Sequence, residues 1–227
     1  MCPVSKLIGA GVIFLMLVSC VSTGGAPGVP HVLLPPGKEK LPAVIVLHTS
    51  GGLYAHEVDY ARMLTEHGFA AAVPDYHTTG GTDNIKKAYD LLAANPRIDP
   101  NRIGIVGFSN GAMYGMSSAD YMNKFDGKNV RALVSYYIGS SLRGSSEHLP
   151  PMLFLHGDLD KYVSRSSIEN LCRFQNSIGR TCEAVIFKNT KHAFDQPRTT
   201  YQGYDAKVTS EANERAISFL KTHLAPQ

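Results

Sequence analysis

The sequence predicts an α/β fold in which a mostly parallel β-sheet is covered by helices on both faces. Short apolar runs typical of strands alternate along the chain with longer amphipathic stretches typical of helices. Several strand-like runs, such as 42–48, are apolar throughout, as expected of parallel strands buried on both faces. With 227 residues, 44% of them hydrophobic and 18% charged, the chain is long enough for one sizeable globular domain and short for two.

The pattern predicts strands and helices separated by turn-forming residues. The strands are expected at 31–34, 42–48, 69–73, 102–107, 130–136, 151–156 and 183–187. The helices are expected at 55–67, 83–94, 110–123, 166–177 and 206–224. Gly68 and Pro96 follow the first two helices, which fits because neither residue type continues a helix well. The segment 139–149 is too short for a substantial cap domain, so the domain 31–227 is expected to have an open site with at most a small flap.

Residues 1–19 are predicted to be a secretory signal. Lys6 supplies a positive charge, and the apolar run 7–18 is too short for a comfortable membrane span. The ending Leu17-Val18-Ser19-Cys20 resembles the lipobox of bacterial lipoprotein signals, which implies that Cys20 becomes the first mature residue and carries lipid. Residues 20–30 then form a flexible tether. The protein is therefore expected to be exported and lipid-anchored at a bacterial membrane, on the periplasmic side or cell surface. An uncleaved anchor or an ordinary signal cut nearby are the alternatives.

Two cysteines remain within the predicted domain, Cys172 and Cys182. In an exported chain they meet an oxidising compartment, which favours a disulfide over two free thiols. A metal-binding pair is the rival interpretation, but no third or fourth ligand stands at suitable spacing. A disulfide is therefore predicted, and no metal.

The segment 102–119 combines a buried strand, the pentapeptide Gly107-Phe108-Ser109-Asn110-Gly111 and a helix. This is the context of a nucleophile elbow, G-x-S-x-G, in which a sharp turn lifts the serine hydroxyl clear of the sheet. The two glycines leave room where a Cβ would collide with a neighbouring strand or helix. A glycine-rich turn with an incidental serine is the alternative, and the remaining site residues have to decide between the two.

A serine hydroxyl is a weak nucleophile until a base removes its proton, and the base needs an orienting acid. Among nine histidines, His192 is the candidate base because it follows the last strand by a short loop, at the sheet edge where Ser109 is expected. His48 and His156 each end a strand and are expected to shape loops or pack beneath the site. The other six are placed like surface or loop residues: His31, His56, His67, His77, His148 and His223.

The acid is expected in the loop that follows the strand ending at His156. Asp158 lies close to the strand end and can instead fix the turn through its own side chain. Asp160 lies deeper in the loop and is better able to reach an imidazole. Asp160 is therefore the preferred acid.

An oxyanion hole requires backbone N–H donors aimed at the developing charge. One donor is expected from Asn110, the residue after the serine, and the other from the loop Thr49-Ser50-Gly51-Gly52. The N–H of Ser50 is preferred there, with Gly51 as the alternative. A phosphate-binding loop is not favoured, because the G-x-x-x-x-G-K-[ST] and G-x-G-x-x-G patterns are missing.

These motifs resemble those of the dienelactone-hydrolase branch of the α/β-hydrolase superfamily. The resemblance spans nearly all of the chain after residue 32 and rests on the segments 42–48, 68–75, 102–111, 156–163 and 191–194. It implies an α/β-hydrolase fold and the order Ser109, Asp160, His192 for the catalytic residues. In relatives with the H-G-x-x-D-x-x-V pattern the second aspartate is catalytic, which supports Asp160. The founding enzymes use cysteine at the elbow, so serine here points toward the broader serine esterases.

The predicted reaction is two-step acyl transfer from a carboxylic ester or lactone to water, without a metal or organic cofactor. A serine peptidase on the same triad and a non-catalytic cell-surface binding module are the alternatives. The formal charge is only +3 and the Lys and Arg residues are scattered, so no nucleic-acid partner is expected. The expected partners are a small-molecule ester and, through the lipid, a membrane surface. The sequence leaves the acyl group and the oligomeric state open.

Overall fold

A computed structural model of the chain describes residues 30–78, 80–139, 146–197 and 203–226. Its strands are β1 (His31–Leu33), β2 (Leu41–Leu47), β3 (Ala70–Val73), β4 (Ile98–Phe108), β5 (Val130–Tyr136), β6 (Met152–Gly157) and β7 (Cys182–Phe187). They form one sheet in the order β1-β3-β2-β4-β5-β6-β7. Strand β1 runs antiparallel to β3, and every other neighbouring pair is parallel.

Helices cover both faces of this sheet, as the sequence predicts. The helices are α1 (Ala55–Glu66), α2 (Asp83–Ala93), α3 (Asn110–Phe125), α4 (Arg165–Ser177) and α5 (Ala206–His223). Helices α2, α3 and α4 pack on one face, and α1 and α5 pack on the other. Successive residues of a central strand enter opposite layers, so that Ile45 belongs to the first and Val46 to the second. Because both layers exclude water, the strands are apolar on both sides.

Strand β4 begins four residues earlier than the predicted start at 102, so that prediction was wrong. Its first residue, Ile98, pairs with Leu41 of β2, and the register shifts before Ala43 pairs with Ile103. This irregularity accommodates Pro100, which has no N–H to donate to the sheet. The remaining element boundaries agree with the predictions to within two residues.

Cys172 in α4 and Cys182 at the start of β7 form the predicted disulfide. The bond links a covering helix to the outermost strand of the sheet. The predicted signal segment 1–19, Cys20 and the predicted tether up to residue 29 lie outside the described residues, and so do residues 140–145 of the predicted flap. Within the described ranges, no helix has the length and apolar character needed to cross a membrane.

The parallel strands end at one edge of the sheet, and this edge collects the predicted site residues. The turn at Ser109 follows β4, the loop 48–52 follows β2, and Tyr137 follows β5. The loops after β6 and β7 bring residues 158–160 and 188–192 to the same edge. In sheets of this kind, ligands bind beyond these carboxyl ends.

Candidate active site

Ser109 occupies a sharp turn between β4 and α3. Its backbone has φ 53° and ψ −115°, a conformation that non-glycine residues rarely adopt. The Ser109 N–H donates to the Tyr136 carbonyl oxygen at 3.0 Å, which fixes the turn to β5. A Cβ on Gly107 would lie 2.5 Å from the Ala112 backbone, and one on Gly111 would lie 2.4 Å from the carbonyl oxygens of Leu47 and His48. Both glycines are therefore required for this turn to fit against α3 and β2, as the sequence predicts.

The structure brings the predicted serine, histidine and aspartate into one chain of hydrogen bonds. Ser109 Oγ lies 2.9 Å from His192 Nε2, and His192 Nδ1 lies 2.6 Å from Asp160 Oδ2. Since a carboxylate only accepts, His192 Nδ1 carries the proton and donates to Asp160. This tautomer leaves Nε2 free of hydrogen and able to accept from the serine hydroxyl. Ser109 and His192 are 9% and 7% exposed.

The environment of Asp160 favours its ionised form. Its side chain is fully buried, and burial alone would raise the pKa of the carboxyl. The hydrogen bond from His192 and the Tyr162 N–H, which donates to Oδ1 at 2.8 Å, outweigh burial and hold the pKa of Asp160 below its ordinary value. Asp160 is therefore ready to stabilise an imidazolium on His192.

Asp158, unlike Asp160, makes its contact with the loop backbone and not with the His192 ring. Its Oδ1 accepts the Thr190 N–H at 3.2 Å, while the Leu159 N–H donates to the Thr190 carbonyl oxygen at 3.0 Å. A Cβ on Gly157 would lie only 2.1 Å from that same carbonyl oxygen. The end of β6 thus lies directly against the loop that carries His192, and Asp158 fastens the two together.

The two other strand-end histidines pack beneath the site, as the sequence predicts. His156 is fully buried and its Nε2 donates to the Val163 carbonyl oxygen at 2.9 Å, with its Nδ1 3.8 Å from Asp160 Oδ2. His48 is also fully buried, donates from Nδ1 to the Thr49 carbonyl oxygen at 2.7 Å and stacks on Tyr76. Burial lowers the pKa of both imidazoles, so both are neutral at pH 7.

The loop after β2 presents Ser50 more favourably than Gly51 as a backbone donor. The Gly51 N–H is directed at Thr49 Oγ1 at 3.3 Å, and the Gly52 N–H at the Thr49 carbonyl oxygen at 3.2 Å. Ser50 is exposed at the tip of this turn. Asn110 is the first residue of α3, so its N–H lies at the positive end of the helix.

Tyr162 borders His192 from the solvent side. The ring of Tyr162 lies 4.4 Å from that of His192, centroid to centroid, and the tyrosine is 53% exposed. Its backbone N–H is the one that donates to Asp160. Among the described residues, no group of three or more His, Cys, Asp or Glu side chains is arranged to hold a metal ion.

The sequence interpretation of His56 as a surface or loop residue was wrong. His56 lies in the first turn of α1, with its side chain 22% exposed, and its ring contacts two carboxylates. Nε2 lies 3.1 Å from Asp195 Oδ2, and Nδ1 lies 3.3 Å from Glu57 Oε1. Asp195 also accepts the Tyr137 hydroxyl at 2.6 Å. His56 and Asp195 are 139 residues apart in the chain, so no local pattern could have paired them.

The chain is similar to a family model, to proteins of known sequence and to solved structures. The family model described as "Dienelactone hydrolase family" matches residues 78–224. A protein of Aquifex aeolicus assigned as a carboxymethylenebutenolidase is 25% identical over 81% of this chain and 89% of its own. A dienelactone hydrolase-like promiscuous phosphotriesterase from metagenomic libraries superimposes with a TM-score of 0.72 at 20% identity, covering 82% of this chain and 88% of its own. Esterase 2 of Thermogutta terrifontis superimposes with a TM-score of 0.69 at 17% identity, covering 87% and 90%.

Proposed function

Since the chain belongs to the dienelactone hydrolase family, we propose that this hydrolase cleaves carboxylic esters and lactones through an acyl-enzyme formed on Ser109. The observation that carries the proposal is the continuous hydrogen-bond chain from Ser109 Oγ through His192 to Asp160, with distances of 2.9 and 2.6 Å. In its resting tautomer His192 can accept the proton that the serine must lose. No other protein group is needed to generate the nucleophile.

In the first step Ser109 Oγ attacks the carbonyl carbon while its proton passes to His192 Nε2. The imidazolium so formed is stabilised by the carboxylate of Asp160, whose lowered pKa keeps it ionised. The imidazolium then protonates the leaving oxygen, and the ester C–O bond breaks. In the second step His192 takes a proton from water, the resulting hydroxide attacks the acyl carbon, and Ser109 is released with its proton restored.

The N–H groups of Ser50 and Asn110 are proposed to hold the oxyanion in both steps. Asn110 is favoured by its place at the start of α3, where the helix dipole adds to the hydrogen bond. Ser50 is favoured because Gly51, its neighbour, already directs its N–H at Thr49. Losing one such donor typically lowers kcat by roughly 100- to 1,000-fold.

The decisive experiment is labelling of the folded protein with a fluorophosphonate, which reacts with an activated serine. Wild-type protein is expected to be labelled at Ser109, and Ser109→Ala is expected to be inert. Ser135→Ala is a matched control, because Ser135 is also buried and its hydroxyl has no hydrogen-bond partner among the described residues. Absence of labelling in folded wild-type protein, or labelling that persists in Ser109→Ala, would refute the proposal.

Substrate class is then resolved by comparing short-chain aryl esters, acetylated sugars, lactones and amides under identical conditions. We expect turnover of esters and lactones and much slower turnover of the matched anilide, because resonance stabilises the amide and its nitrogen must be protonated before it can leave. Amide turnover near the ester rate would instead support a serine peptidase.

We also propose that the protein is exported and anchored through lipid on Cys20. The disulfide between Cys172 and Cys182 supports the export, since such bonds persist in oxidising compartments. Mass spectrometry of the mature N-terminus tests the anchor. An acylated Cys20 is expected, and an unmodified Met1 would refute the assignment.

A further inference from the structure

We propose that His56 is a positioning residue for the reaction. By contacting Glu57 and Asp195, it holds the loop after β2 (residues 48–54, the oxyanion loop) and the loop after β7 (residues 188–195, the catalytic-histidine loop) in fixed positions relative to each other. We call this arrangement the frame. The inference rests on the proposed function of Ser109 and His192, since it assigns a role in that same site. His56 does not touch the reacting atoms in this scheme. It acts through the two segments that carry them.

The bridge is a carboxylate–imidazole–carboxylate arrangement largely removed from water. The side chains of Glu57 and Asp195 are 1% and 2% exposed, against 22% for His56. The imidazole contacts both acids through different nitrogens, at 3.3 and 3.1 Å. The Nε2–Asp195 contact is a hydrogen bond, whereas the Nδ1–Glu57 contact is a close ion-pair contact without hydrogen-bond geometry. Two buried carboxylates with no cation between them would be costly, so the arrangement calls for the imidazolium.

Glu57 connects this bridge to the oxyanion loop. Its Oε2 accepts the Tyr54 N–H at 3.1 Å, and Tyr54 is the residue that leads from the loop after β2 into α1. The Tyr54 ring in turn borders Gly51, where a Cβ would lie 3.2 Å from Tyr54 Cε2. One buried carboxylate therefore fixes the point at which the loop after β2 enters α1, four residues after Ser50.

Asp195 connects the other side of the bridge to the catalytic histidine. It follows His192 by three residues, and its Oδ1 accepts the Tyr137 hydroxyl at 2.6 Å. The ring of Tyr137 makes an edge contact with the His192 ring, with 4.9 Å between centroids. Burial and the charge of Asp195 raise the pKa of Tyr137 well above its ordinary value, so the phenol stays protonated and keeps donating.

The charge on His56 gives this frame a measurable pH dependence. Burial lowers its pKa, but the hydrogen bond to Asp195 and the charges of Asp195 and Glu57 outweigh burial and raise the pKa to about 10. The groups that face the ring are Glu57 on its own helix, Asp195 on the loop after β7 and the apolar ring of Phe108 on β4. The bridge is thus intact at neutral pH and is lost as the pH rises through about 10.

The test is His56→Gln, with His67→Gln as the matched control because His67 is exposed at the end of the same helix. A loosened frame is expected to lower kcat on an aryl acetate by roughly 10- to 100-fold with KM changed less than about threefold, since small misplacements of reacting groups have effects of this size. His67→Gln is expected to match wild type. The alkaline fall in kcat/KM near pH 10 is expected in wild type and in His67→Gln, and to be missing in His56→Gln.

A purely structural role predicts other results. If His56→Gln lowers only the unfolding midpoint, and its folded fraction retains wild-type kcat and the alkaline fall, the inference is overturned. Should His56→Gln not fold, Asp195→Asn serves instead, because it keeps an acceptor for Tyr137 and removes one of the two charges. Its kcat is expected to fall and its alkaline limb to shift to lower pH, and a wild-type profile would again refute the role. Loss of fluorophosphonate labelling in wild type would mark failure of the proposed function, whereas normal labelling in every variant, with unchanged turnover, would mark failure of this inference alone.

Discussion

Replacing Asp160 with asparagine keeps the shape of the side chain but replaces one of its hydrogen-bond acceptors with a donor. In wild type, the two carboxylate oxygens of Asp160 have different partners: Oδ1 accepts from the Tyr162 N–H and Oδ2 accepts from His192 Nδ1. In the variant, the amide oxygen is expected to stay with the Tyr162 N–H, which leaves the amide NH₂ facing His192. Two donors cannot share one hydrogen bond, so His192 must move its proton from Nδ1 to Nε2. In that tautomer it cannot accept the proton of Ser109.

The expected loss is on the order of 10,000-fold in kcat, the size associated with forcing a catalytic histidine into the wrong tautomer. This corresponds to roughly 5 kcal/mol in the activation free energy. KM should change little, because Asp160 is buried behind the histidine and has no path to the substrate. The phosphonylation rate at Ser109 should fall in parallel, since that reaction also needs the serine proton to leave.

Asp158→Asn is the matched control two residues away. Its side-chain oxygen can still accept the Thr190 N–H, so kcat should stay within about fivefold of wild type, within the range of a half-buried neutral hydrogen bond. Both variants would be measured by hydrolysis of 4-nitrophenyl acetate, with circular dichroism to establish folding. The assignment of Asp160 is wrong if Asp160→Asn retains more than a tenth of the wild-type kcat, or if Asp158→Asn is the more damaged of the two.

Three further predictions concern the framework of the site. Replacing Cys172 and Cys182 by serine together should lower the free energy of unfolding by about 3 kcal/mol, given the separation of 10 residues, as measured by urea unfolding; an equal urea midpoint for the variant and wild type would contradict it. Gly157→Ala should abolish esterase activity even in folded protein, because its Cβ would lie 2.1 Å from a backbone oxygen of the catalytic-histidine loop, and wild-type turnover by this variant would show that the loop yields easily. A group whose pKa rises on folding stabilises the protein fully below its unfolded pKa, about 6.5 for histidine, and loses that effect as the pH rises through the folded pKa. The pKa of His56 in the folded protein is about 10. The unfolding free energy of wild type should therefore decline between pH 6.5 and about 10, and that of His56→Gln should not.

The parts of the site that the sequence predicts are those encoded over a few neighbouring residues. The elbow at Ser109 needs small residues two positions to either side, and that spacing is visible in the chain. Parallel strands end at one sheet edge, so the topology alone brings the loops bearing Asp160 and His192 toward Ser109. The prediction of Asp160 over Asp158 also rests on local position, because a residue immediately after a strand is held close to the strand end.

The parts that could not be predicted depend on pairs far apart in sequence. The early start of β4 results from the pairing of Ile98 with Leu41, whereas its own sequence, Asp99-Pro100-Asn101, is typical of a turn. The sequence around His56 gives no sign of the charge on its ring, because one of its two carboxylate partners, Asp195, lies 139 residues away in the loop after β7. Burial of Glu57 is likewise a tertiary effect, since a glutamate in the first turn of a helix is normally explained by the helix dipole.

The position of His192 shows how such distant contacts bear on catalysis. The loop that carries it contains positive φ angles at Asn189 and Ala193, 56° and 55°, which cost energy in residues with a Cβ and are retained only where the surroundings impose them. Asp158 fastens the loop just before the histidine, and Asp195, paired with His56, fastens it just after. Because the loop is hydrogen-bonded on both sides of His192, the imidazole is held in position before substrate binds. Substitutions that remove these contacts, unlike Asp158→Asn, should therefore lower kcat far more than they raise KM. This distinguishes a preorganised base from one that substrate binding has to arrange.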